Sequence, residues 1–155
     1  MRTAESWFSE YGENHRNATN IAIHWVCVPA IFFSVIGLLA SIPPNELPWL
    51  GRVPWAKVAI ALALAFFYLR LSLSIMIGMA IVSYVCLFIV RWLDVHAPWP
   101  LWAISLVIFA VAWMGQFYGH KIEGKKPSFL KDLAFLLVGP AWLVAKVYKR
   151  LGIPY

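Results

Sequence analysis

The sequence predicts an all-α, polytopic transmembrane helix bundle, and three observations carry that reading. Hydrophobic residues fill 62% of the 155 positions, against roughly 45–50% in soluble domains. Charged residues reach only 13%, about half the usual share of roughly 25%. Aromatic residues make up 16%, nine of them Trp, as expected when rings line two membrane interfaces. A soluble fold of this size has too small an interior to hide so much apolar surface. Disorder, a collagen-like fold and a water-soluble enzyme are therefore excluded, and residues 1–155 read as a single integral membrane domain.

Each element follows from local composition. Residues 1–19 form a polar lead-in with no apolar core and no small-residue cleavage site, so they are not read as a signal peptide. Ile21 to Ile42 is the first apolar span. At about 1.5 Å per residue it reaches about 33 Å, enough for a bilayer core. Pro43-Pro44-Asn45 stops it, because proline cannot extend a helix. Residues 45–54 form a loop with Pro48, Gly51 and Pro54. Trp55 to Val90 is apolar apart from Lys57 and Arg70. It is too long for one span of about 20 residues, so it reads as a hairpin bending near Arg70. Arg91 to Pro98 is a loop, and Trp99 to Tyr118 is the fourth firm span. A basic loop, Gly119 to Lys131, leads to a last helix over 129–148 with Pro140 in its middle. That helix is spanning, re-entrant or interfacial.

Charge sets an orientation. The net charge is 13 − 7 = +6, but the basic residues flank apolar spans and do not form a face for nucleic acid. With the N-terminus in the cytoplasm and four spans, the inside holds Arg2, Arg16, Arg70, Lys121, Lys125, Lys126 and Lys131. The outside holds Arg52, Lys57 and Arg91. This excess is the expected direction for inward-facing loops. The two cysteines, Cys27 and Cys86, exclude a disulfide framework and any Cys-rich zinc or iron–sulfur site.

Four histidines stand out. In this topology His15, His24 and His120 gather at the cytoplasmic side, and His96 falls in the opposite loop. Asn20 precedes His24, and Gln116 precedes His120, by four residues, which is one helical face. Amides there are placed to fix the tautomer of a metal-bound ring. His15 and His24 are nine residues apart, about 13 Å along one helix, so the chain must bend between them. Asn17, Thr19 or Asn20 can cap a helix start at that bend. Glu123, three residues past His120, is expected as fourth ligand or outer partner. Three imidazoles and a carboxylate with open positions suit Fe(II), and zinc nearly as well. Lys121, Lys125 and Lys126 are placed to hold an acidic headgroup.

The segment Tyr11-Gly-Glu-Asn-His15-Arg-Asn-Ala-Thr-Asn20-Ile-Ala-Ile-His24-Trp-Val-Cys-Val-Pro29 resembles the N-terminal signature of the Mpo-like family of membrane 2-hydroxy-fatty-acid dioxygenases. The segment Gln116-Phe-Tyr-Gly-His120-Lys-Ile-Glu123-Gly124-Lys-Lys-Pro127-Ser-Phe129-Leu resembles its C-terminal signature. The resemblance implies Fe(II)-dependent oxidation of a 2-hydroxy fatty acid by O2, shortening it by one carbon in alpha-oxidation. It implies iron held by histidines, carried over to His15, His24 and His120. The expected partners are a 2-hydroxy fatty acid, O2 and membrane lipid. The expected location is the inner or plasma membrane of a bacterium, or the endoplasmic reticulum of a eukaryote. The rival readings are a non-catalytic lipid-binding or assembly protein and a zinc-dependent membrane lipid hydrolase.

Overall fold

The computed structural model describes residues 3–13, 15–47, 51–124 and 129–155, with side chains of 45, 47 and 129–134 left aside. It is helical apart from one small hairpin. The polar lead-in is not irregular: it holds α1 (Ala4–Glu13), with Ala4, Phe8 and Tyr11 buried. Hydropathy alone passes over this helix, because its apolar residues recur at helical spacing among charged ones.

α2 (Ala18–Ala40) starts three residues earlier than Ile21. The Asn17 side chain accepts from the amides of Thr19 and Asn20 and caps it. It ends before Pro43-Pro44, where the Ser41 hydroxyl donates to the Gly37 carbonyl. The hairpin β1 (Asn45–Leu47) and β2 (Gly51–Val53) follows, with Glu46 opposite Arg52. Then come α3 (Trp55–Leu62), a π-helical turn over Ala63–Tyr68, and the short α4 (Leu69–Leu71). The bend falls at Ser72, two residues beyond Arg70, where the backbone is extended and the hydroxyl caps the next helix.

α5 (Leu73–His96) and α6 (Leu101–Glu123) both outrun their expected ends. The loop between them shrinks to residues 97–100, and His120, Lys121 and Glu123 lie on a helix rather than in a loop. Charged residues at a span's edge do not stop a helix whose backbone bonds are already made within the segment.

Among the described residues, three helices are long and apolar enough to cross a membrane: α2, α5 and α6. Four spans were expected. The arm from Trp55 to Leu71 has no continuous helix of that length, because the π-turn divides it. The last helix, α7 (Phe129–Leu151), is buried along its middle. It packs on α1, α2 and α5, and Val138, Ala141, Trp142, Leu143 and Ala145 are buried. The Tyr68 hydroxyl donates to the Leu137 carbonyl at 3.0 Å, beside the turn where Pro140 supplies no N–H. The Tyr148 hydroxyl donates to the Ser74 carbonyl at 3.0 Å.

α2 and α6 form the closest pair and run antiparallel. Gly37 faces Ser105 near one end, and Gly119 faces Asn20 near the other. A Cβ at either glycine would collide with the facing side chain, so small residues set how closely the helices approach. This pairing brings the start of α2 beside the end of α6.

Candidate metal centre

Three elements each supply one imidazole. His15 lies in the short connection after α1, His24 in the second turn of α2, and His120 in the last turn of α6. One potential ligand atom from each lies within 4.8 Å of the other two. Ring centroids are 4.2 Å apart for His15–His24, 5.3 Å for His24–His120 and 5.7 Å for His15–His120. The chain bends between His15 and His24, as a shared centre demands.

Backbone carbonyls set the tautomers. Nδ1–H of His24 donates to the Asn20 carbonyl at 2.9 Å. Nδ1–H of His15 donates to the Tyr11 carbonyl. Both donations place a lone pair on Nε2, the atom left to bind a cation. His15 is 6% exposed and His24 1%. Nε2 of His15 is buried with no hydrogen-bond partner. A buried nitrogen lone pair without a donor is costly, and a cation satisfies it. The three imidazoles therefore fit a metal ion.

Aromatic rings wall one side. Tyr11 stacks on His15 at 4.2 Å, and Trp142 lies 5.6 Å from His15 and 5.1 Å from Tyr11. Burial holds His15 well below its usual 6.5, at about 4, and neighbouring His120 adds to the shift. The hydrogen bond to Tyr11 opposes it. His15 is thus neutral at physiological pH, the state that binds metal. Folding favours the neutral ring, so metal-free protein keeps this contribution in full above about pH 6.5. It loses it as pH falls toward 4, because the unfolded chain takes up the proton first. Thermal unfolding of metal-free protein, read from about pH 7 to about pH 4.5, is expected to weaken along this course. His15→Asn should flatten the slope; equal slopes in both proteins would contradict the assignment.

The other expected site residues land differently. Glu123 is not among the converging donors. Its carboxylate accepts from the amides of Arg16 (2.9 Å) and Asn17 (3.0 and 3.3 Å) and from Nδ2 of Asn20 (2.9 Å). It clasps the end of α6 to the joint carrying His15 and His24. Asn20 orients His24 through its backbone carbonyl, and its side chain serves Glu123. Gln116 is buried one turn before His120, with Nε2 unpartnered. His96, in the last turn of α5, is exposed and stacks on Trp92, apart from the cluster. Lys121 is exposed; Lys125 and Lys126 lie outside the described residues. Sequence reasoning missed Tyr11 and Trp142. Only Tyr11 left a trace, four residues before His15, the spacing noticed for Asn20 and Gln116.

Among curated proteins and solved structures, no match is found. The model of one protein family, described as 2-hydroxy-palmitic acid dioxygenase Mpo1-like, matches residues 1–151. Two signatures at opposite ends of the chain thus meet in one buried histidine cluster beside apolar helices, and the chain belongs to the 2-hydroxy-palmitic acid dioxygenase Mpo1-like family.

Proposed function

We propose that this protein is an integral membrane, Fe(II)-dependent dioxygenase that shortens a 2-hydroxy fatty acid by one carbon with O2. The observation that carries the reading is the convergence of His15, His24 and His120, two of them with Nε2 turned to the common centre by a backbone hydrogen bond. The family supports the substrate class. Three imidazoles would hold the ion and leave positions open. When bound, iron supplies O2 chemistry that no side chain here can perform.

The chain's own residues do the rest. The carbonyls of Tyr11 and Asn20 fix the ring orientations. Tyr11 and Trp142 exclude water on one side of His15. Glu123 holds the three ligand-bearing segments together. The site lies where α2 starts and α6 ends, so an acyl tail can lie along apolar helix faces while the head reaches the histidines. Lys121 on the last turn of α6 and Arg16 beside Glu123 place positive charge there, which supports a cytoplasmic orientation for this end.

The test is anaerobic incubation of Fe(II)-loaded protein with 2-hydroxypalmitate, followed by O2. The expected product is the acid one carbon shorter, formed only after O2 enters. Full iron with no shortened acid, or equal turnover by a zinc-loaded form without O2, would overturn the proposal.

A further inference from the structure

α7 presents a stripe of Trp142, Lys146 and Arg150, one helical turn apart. The Lys146 ammonium sits 3.7 Å above the Trp142 ring centroid. That ring is itself 5.6 Å from His15. The Arg150 guanidinium lies 5.8 Å from the Trp25 ring, next in the chain to His24. Among the described residues, neither cation has a carboxylate within salt-bridge distance. Like charges at this spacing on a helix repel and cost stability, and the half-buried Lys146 has lost part of its hydration. An ammonium carries three donors, and the aromatic face engages it from one side only. Two cations one turn apart on α7, the nearer of them on a ring that neighbours His15, are suited to one anionic group. Lys121, by contrast, stands exposed on the last turn of α6.

We propose that Lys146, backed by Arg150, recognises the carboxylate of the fatty acid and makes the site select a free acid over its ester. This rests on the function proposed above, and the experiment separates the two. Fe(II)-loaded protein in uncharged nanodiscs is titrated anaerobically with radiolabelled 2-hydroxypalmitate and with its methyl ester. Lys146→Met keeps the apolar stem on Trp142 and removes the charge. It is expected to weaken acid binding about tenfold, the order of one charge-assisted hydrogen bond, and to leave ester binding unchanged. Lys146→Arg should restore most of the loss. On addition of O2, KM for the acid should rise by a similar factor with little change in kcat.

Unchanged acid binding in Lys146→Met would overturn the assignment. So would equal losses for acid and ester, which mark a packing role. So would a loss confined to nanodiscs containing phosphatidylglycerol, which assigns the charge to lipid headgroups. Lys146→Gln provides a second neutral variant should Lys146→Met not fold. If the charge-dependent preference appears but O2 yields no shortened acid, the functional proposal fails and the carboxylate assignment stands.

Discussion

His24→Ala is expected to strip the protein of iron and to abolish oxygen-dependent turnover. The ring is almost wholly enclosed at 1% exposure, and its Nδ1 is committed to the Asn20 carbonyl. No other His, Cys, Asp or Glu among the described residues joins the three converging donors, so nothing replaces a lost ligand. The drop in metal affinity should exceed the roughly 10–100-fold typical of losing an outer partner of a ligand. Iron content per purified chain and the rate of shortened-acid formation are the measurements. His96→Ala is the control, since that ring sits exposed on α5, and it should match the wild type in both. Full iron in His24→Ala would remove the imidazole cluster from the chemistry.

Glu123→Gln should give the second largest effect, with a different signature. The carboxylate receives donors from Arg16, Asn17 and Asn20, all 103 to 107 positions earlier in the chain. A glutamine keeps one acceptor oxygen and turns an NH2 toward those same donors. It also removes a negative charge from the start of α2, where the helix dipole favours one. Each charge-assisted bond of this kind contributes roughly 1.5–3 kcal/mol where it is sheltered from water. The bonds to Arg16 and Asn17 are exposed to solvent, which screens them below that range. The three imidazoles remain, but the joint that sets their spacing loosens. Metal affinity is expected to fall roughly 10–100-fold, with unchanged stoichiometry at saturating metal and an unchanged Co(II) absorption spectrum. A new spectrum would make Glu123 a ligand instead; unchanged affinity would make the clasp irrelevant to the site.

What the sequence showed and what it hid divide along physical lines. The apolar runs that became α2, α5 and α6 were legible because spanning a bilayer demands long stretches of one character. The three histidines were legible through a topological argument: two antiparallel spans bring their near ends together. For His24 the expected outer residue is the right one and the atom differs: the Asn20 carbonyl, not its side-chain amide, holds the ring. The amides of Asn20 and Gln116 drew attention because side chains differ along a sequence, whereas the carbonyls that bind His15 and His24 are common to every residue. The sequence leaves Glu123 open between fourth ligand and outer partner, because the donors it meets, two backbone amides and the Asn20 side chain, lie more than a hundred positions away and leave no mark beside it. α1 and Trp142 were passed over for related reasons. The first is apolar only on one face, and the second contacts His15 across a separation of 127 positions that no local pattern records.

The hydrogen bond from His15 to Tyr11 has a further effect. Tyr11 lies in the last turn of α1, whose terminal carbonyls have no partner further along that helix. The same imidazole therefore seals the end of α1 with one nitrogen and faces the ion's position with the other. Thermodynamic reciprocity ties the two roles: whatever firms the grip at one nitrogen steadies the other. Loading the centre would anchor the N-terminal segment against α7, and detaching that segment would drain the centre. A metal that binds His15 would thus also hold the last turn of α1 in place.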